Sequence, residues 1–137
     1  MEKIPTWQLV VAGALQRDDG AWLMHKRPDH KHHGGLWEFP GGKVENDENP
    51  RESLVRELME ELGIGVNSAD LAAESFAEED HFSSDRPIVI LLYTLRSWTG
   101  FPAALEGGEV QWFTPEQIAA LDKPPLDVVL ASKLFEK

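Results

Sequence analysis

GGKVENDENPRESLVRELMEELGI, Gly41 to Ile64, is the stretch around which the rest of the chain is organised. It reads as a glycine turn, an acidic loop and one amphipathic helix. Asn49 is placed to cap that helix, Pro50 suits its first position, and Glu52 stands where a capping-box carboxylate reaches back. Gly63 supplies a left-handed stop after Leu62. At about 100° per residue, Leu54, Val55, Leu58, Met59 and Leu62 fall on one side, and Glu57, Glu60 and Glu61 gather on the other.

The acidic side is the anomaly. Glu57 and Glu61 are like charges one turn apart, an arrangement that destabilises a helix by roughly a few tenths of a kcal/mol. Glu60 and Glu61 also lie in the last turn, where the helix dipole favours cations. A solvated face tolerates such penalties. Three carboxylates converging on one patch equally suit a hard cation such as Mg2+, which takes oxygen ligands and keeps waters for a phosphate substrate. Spacing alone leaves both readings open.

Gly42, Glu48, Arg56, Glu57, Leu58, Glu60, Glu61, Gly63 and Ile64 stand at intervals that resemble the Nudix box at every fixed position. The resemblance turns the balance toward a metal site. It implies an α/β fold, an α/β/α sandwich around a mixed β-sheet, covering essentially the whole chain. The implied reaction is hydrolysis of a nucleoside diphosphate linked to another group. Mg2+ (or Mn2+) would be held by Glu57, Glu60, Glu61 and the Gly41 carbonyl, with Arg56 orienting the carboxylates. LWEFPGGK, Leu36 to Lys43, resembles the segment preceding the box in MutT-like nucleoside triphosphate pyrophosphohydrolases. That likeness puts Glu38 and Phe39 beside the nucleotide, Arg27 and Lys43 toward phosphate, and Glu109 as a further metal ligand or general base. Glu57 and Glu109 are both candidates for taking the proton from water. Trp37 reads as core.

Two further positions bear on the base. Carried onto KPPLDVV, the MutT-like pattern puts Asp127 where members specific for oxidised guanine have asparagine, while Arg86 keeps a matching arginine. Asparagine both donates and accepts, whereas ionised aspartate only accepts. The likeness therefore points to CTP and modified pyrimidine or adenine nucleotides over 8-oxo-dGTP. A simpler reading has Asp127 capping the last helix. Proline and tyrosine markers of the ADP-ribose and diadenosine-polyphosphate branches are missing: no proline lies between Gly63 and Arg86, and the only tyrosine is Tyr93. The expected reaction is conversion of a (deoxy)nucleoside triphosphate to monophosphate and pyrophosphate. The alternatives are a Nudix hydrolase of another nucleoside diphosphate derivative and a non-catalytic nucleotide-binding module, the latter expected to have lost a metal carboxylate that this chain keeps.

The remaining features set bounds. A chain of 137 residues is of single-domain size, and one domain over 1–137 is expected. Without cysteine there are no disulfides, thiol nucleophiles or Cys-based zinc sites. A net charge of −11 argues against a nucleic-acid polymer as partner, which needs a basic surface. No apolar run reaches membrane-spanning length and MEKIPTWQ has no signal-peptide core, so a cytoplasmic monomer or homodimer is expected.

Trp7 to Leu15 and Ala21 to Lys26 read as strands joined in a hairpin by the turn RDDG, with Gly13 marking a bulge or close approach. His30, Lys31, His32 and His33 read as a loop. Ser68 to Glu79 is a weak strand-and-loop region, HFSSDR is polar, and Ile88 to Leu95 is a buried strand. A glycine loop at 106–109 leads into the strand VQWF. Thr114 and Gln117 start a short helix, and Asp127 to Phe135 reads as a last helix packed on the sheet.

Overall fold

A computed structural model describes residues 6–80 and 86–136, so most of the HFSSDR segment lies outside the described residues. Among the described residues, seven strands form two sheets. β1 (Gln8–Leu15), β4 (Gly41–Lys43), β5 (Ala72–Glu78) and β6 (Ile88–Leu95) make a mixed sheet in the order β4-β1-β6-β5. β2 (Trp22–Lys26), β3 (Trp37–Glu38) and β7 (Glu109–Phe113) make an antiparallel one in the order β3-β2-β7.

The turn at 17–20 forms as read. Arg17 accepts from Gly20, and Gly20 sits at φ 91. The hairpin does not. After one bridge, Gln16 to Trp22, the strands part into different sheets. The reason is edge occupancy: β1 pairs β6 in parallel on one side and β4 on the other, leaving no edge for β2. Nor is there a bulge at Gly13, which stays in register with Tyr93; the irregularity falls between Ala73 and Ser75 of β5.

Alternation along β1 and β6 builds the layers. Val11, Leu15, Tyr93 and Leu95 join Leu54, Leu58 and Leu62 of α1 (Pro50–Leu62) in one apolar cluster. Ala12, Ala14 and Leu92 face the other way, toward Ile118 of α2 (Pro115–Ala120) and Leu130 and Leu134 of α3 (Pro125–Phe135). Helices thus cover both faces, as the α/β/α expectation requires.

The caps follow the sequence with one difference. Asn49 accepts from the Glu52 N–H and Gly63 ends α1 in the left-handed region, but Glu52 does not return the bond. The preceding loop is closed instead by Glu48, whose Oε1 accepts from the Glu45 N–H and the Ser53 hydroxyl. Thr114 and Gln117 complete a reciprocal box at α2.

Candidate active site

The acidic flank of α1 turns inward at Glu61 and in part at Glu57, while Glu60 stays exposed. Glu61 is 6% exposed, whereas Met59, on the apolar side of the wheel, is 52% exposed. Burying a carboxylate while leaving a methionine in water is the reverse of what folding alone selects.

Two groups of side chains form on this flank. The first surrounds Arg56. Its Nε and Nη2 fork onto both oxygens of Glu48 at 2.7 and 3.0 Å, Nη1 donates to Glu57 at 2.8 Å and Glu60 at 3.1 Å, and Nη2 also reaches the Lys43 carbonyl. The Arg56 fork, with help from Ser53, holds the Glu48 carboxyl down at about 2. Burial raises the Glu57 carboxyl above its ordinary range, Arg56 opposes this, and the charges of Glu60 and Glu106 add to it.

The second group surrounds Glu61. Gly41, on β4, donates its N–H to Glu61 Oε2 at 3.2 Å. A Cβ at Gly41 would stand 1.9 Å from the Val11 carbonyl oxygen, so only glycine brings that N–H in. On the far side, His25 Nδ1 lies 3.3 Å from Glu61 Oε1 and 3.1 Å from Glu38 Oε2. The β2–β3 register sets His25 beside Glu38. Glu38 Oε1 accepts from Arg27 Nη1 at 3.0 Å, and His25 Nε2 meets the Gly107 carbonyl at 3.0 Å. Burial pushes the Glu61 carboxyl up to about 7 against the pull of His25. Burial draws His25 down, but the Glu38 bond, the Gly107 carbonyl and the Glu61 charge outweigh it and leave its pKa raised.

The expected trio is therefore distributed. Glu57 and Glu60 share Arg56, Glu61 sits with His25 and Glu38, and the charge of Glu57 reaches across to Glu61. Carboxylate oxygens such as those of Glu57, Glu60 and Glu61 are the donor type that a hard divalent cation takes, and the bare face of Gly42 gives the Glu57 carboxylate its room.

The outlying expectations fare differently. Glu109 is exposed, pairs across from Lys26 in the β2–β7 ladder and accepts from Gln111. The glutamate of that loop whose charge acts on Glu57 is Glu106, because Gly107 and Gly108, both at positive φ, reverse the chain between the two. The Phe39 side chain is 3% exposed in the core beside Met24 and Leu130, so burial, rather than contact with a base, accounts for it. Lys43 and Arg86 are exposed, the latter at the entry to β6. Arg27 is half-buried and donates Nε to the His32 carbonyl at 2.6 Å. Trp37 packs edge-on against Phe113.

Asp127 does not cap α3, whose cap position is Pro124 with no side-chain bond. It is buried, its Oδ1 accepts from the Phe39 N–H at 3.0 Å, and burial pushes its carboxyl up to about 7. That places it against the segment Glu38-Phe39 that leads into the glycines. His25, Ser53 and Glu106 were not singled out from the sequence. For His25 the signal was present, a titratable residue directly after the apolar run AWLM.

A mixed sheet between helices, with carboxylates of one helix gathered over a Gly-Gly strand, defines the class. The chain belongs to the NUDIX domain family, whose model matches residues 6–133, and it is a MutT-like hydrolase acting on phosphoanhydride bonds. It is 38% identical over 121 residues to the CTP pyrophosphohydrolase of Escherichia coli (strain K12), covering 88% of this chain and 86% of that one. It is 30% identical over 125 residues to the 8-oxo-dGTP diphosphatase of the same organism, covering 91% and 94%. The solution structure of the E. coli ORF135 protein superposes with a TM-score of 0.83 at 33% identity, over 96% of this chain and 90% of that one.

Proposed function

We propose that this protein hydrolyses (deoxy)nucleoside triphosphates, CTP or modified pyrimidine nucleotides ahead of 8-oxo-dGTP, to monophosphate and pyrophosphate. The observation that carries this is the seating of half-buried Glu57 against Gly42 and of buried Glu61 against Gly41, inside a box matched at every fixed position.

Glu57, Glu60, Glu61 and the Gly41 carbonyl would hold Mg2+ or Mn2+, which, when bound, makes a water acidic and neutralises phosphate oxygens. The residues supply positioning. Arg56, anchored on Glu48, keeps Glu57 and Glu60 in place. Water attacks one of the two phosphorus atoms of the α–β anhydride, the bridging P–O bond breaks, and the bond electrons leave with the departing phosphate group. The proton goes to Glu57 or to a glutamate of the 106–109 loop; Glu106, whose charge already reaches Glu57, fits better than Glu109. Arg27, just past the end of β2, and Lys43, the last residue of β4, border the site through Glu38 and Arg56, as phosphate partners require.

Asp127 supports the choice of base. A carboxyl buried beside the Phe39 N–H would discriminate between bases by the donors and acceptors they present. None of the described helices is long and apolar enough to cross a membrane. The test is pyrophosphate release from a panel of ordinary and oxidised nucleotides, with Mg2+ and after exhaustive chelation. The reading expects turnover only with metal, fastest on an amino-bearing pyrimidine. Turnover that survives chelation, or none on any triphosphate, overturns it.

A further inference from the structure

β1 and β6 run parallel in the middle of their sheet, paired from Gln8–Ile88 to Leu15–Leu95. Their carboxyl ends emerge side by side, and the two chains then part. One passes through the turn at 17–20 into the second sheet, and the other runs to the end of α1, where Thr99 bridges Gly65. In open α/β sheets the crevice outside the carboxyl ends of parallel strands, where neighbouring chains diverge, is where ligands bind. Here that crevice is a cavity of about 430 Å³ lined by Arg17, Asp18, Arg96, Ser97 and Trp98. Small-molecule sites run from about 300 to 1,000 Å³. The cavity shares no residue with the hydrolytic set on α1 and β4.

The lining is unusual for so acidic a chain. With 24 acids against 13 bases, arginines are taken up: Arg17 forks onto Asp19, Arg27 meets Glu38, Arg51 holds the Ser68 and Leu71 carbonyls, and Arg56 binds Glu48, Glu57 and Glu60. Arg96 is exposed and makes no ion pair among the described residues. Arg17 keeps its Nη1 clear of Asp19. Trp98 is half-buried and stacks on Trp112 at 5.9 Å and 20°, with the Arg17 guanidinium 4.8 Å over the Trp112 ring.

We propose that this cavity is a second nucleotide site, which takes a nucleoside monophosphate away from the hydrolytic carboxylates. Its groups match the three parts of that ligand. The Arg96 guanidinium and the Ser97 hydroxyl suit phosphate oxygens, a tryptophan ring suits the face of any base, and the Asp18 carboxylate accepts from sugar hydroxyls. Asp18 also sets the direction, because it repels a phosphate and leaves that end to Arg96. A nucleic-acid polymer is disfavoured by the net charge of −11. A nucleoside monophosphate is the class of product released by the hydrolysis proposed above, but the site rests on this cavity and holds whether or not that reading does.

CMP is the probe, titrated by calorimetry into the full-length protein with excess chelator, so that no metal carries it to the carboxylates of α1. One site is expected, with a Kd below about 1 mM and at least about tenfold tighter than for cytidine or inorganic phosphate. Arg96→Gln should weaken CMP binding about tenfold, as loss of a charged hydrogen-bond donor does. The proposal fails if Arg96→Gln binds CMP like the wild type, or if Arg27→Gln loses the binding instead, which would put CMP at the hydrolytic site. It fails equally if the wild type binds no CMP, or binds cytidine or inorganic phosphate as tightly, which would leave only a stacking surface or an anion patch. Should Arg96→Gln not fold, the wild type decides: CMP should shift the Ser97 amide and Trp98 indole N–H resonances. No shift there, or shifts confined to the Gly41 and Glu57 amides, overturns the site. Hydrolysis is not read in any arm, so this result is separate from the fate of the substrate assignment.

Discussion

The carboxylate of Glu57 occupies the space that a side chain on Gly42 would fill: a Cβ there would stand 2.4 Å from the carboxyl carbon and 2.4 Å from Oε2. Gly42 is not among the glycines at positive φ, so the helix glutamate, and not backbone torsion, excludes a side chain. Strand β4 and helix α1 interlock at this pair, beside the Gly41–Glu61 and Arg56–Lys43 hydrogen bonds.

Gly42→Ala should therefore displace Glu57. With the fold intact, kcat/KM for pyrophosphate release is expected to fall about a hundredfold, the scale of an ångström-sized misplacement. Steady-state kinetics beside a thermal melt checks this. Normal turnover in a folded Gly42→Ala protein would remove Glu57 from the chemistry.

Arg56→Lys keeps the charge and loses the fork that reaches Glu48, Glu57 and Glu60 together. The Mg2+ concentration for half-maximal rate should rise about tenfold, and stability should drop by about 1–2 kcal/mol as charged hydrogen bonds go unmade. Urea unfolding and Mg2+ titration of the rate measure the two effects. A metal requirement like that of the wild type would show that Arg56 does not set the carboxylates.

Glu60→Gln separates metal binding from folding. Glu60 has a side chain 51% exposed and pairs with Arg56 at i,i+4, so stability should move by less than about 0.5 kcal/mol. Metal affinity and turnover should fall together. Full Mg2+-dependent activity would exclude Glu60 from the metal set.

Asp127 carries a pH signature. Its folded carboxyl is pushed up to about 7, against about 3.9 for an unfolded aspartate, so the folded state favours the protonated form. Its contribution is full below about pH 4 and is lost as pH rises through about 7. Asp127→Asn retains an oxygen for the Phe39 N–H and does not titrate. The Tm of the wild type should fall relative to that variant between pH 5 and 8. A constant difference would mean that Asp127 is ionised throughout. In the same variant the substrate ranking should move toward oxidised guanine, and an unchanged ranking removes Asp127 from base recognition.

The sequence carried most of what is local. Asn49, Gly63 and the Thr114–Gln117 box marked their helix ends, and Ile88 to Leu95 announced a strand buried on both faces. What it did not carry is long-range. The RDDG turn is correct, yet whether β1 and β2 stay paired depends on β4 and β6 taking both edges of β1. Periodicity put Glu61 with the polar residues, but its inward aim comes from Gly41 and His25, which lie 20 residues before it or more. Glu106 and Glu109 flank two glycines symmetrically in the sequence, and only the path of the folded loop tells them apart.

That loop has a consequence for how such proteins are recombined. Gly107 rests its carbonyl on His25, and Gly108 presses so close to β2 that a Cβ would stand 2.0 Å from the Lys26 carbonyl oxygen. Residues 106–108 and position 25 are 82 apart at their bonded pair, yet they are one part mechanically. A chimaera that takes this loop from a relative without the residue beneath it would inherit the glutamate but not its seat. Exchange should succeed when strand β2 and the loop are moved as a unit.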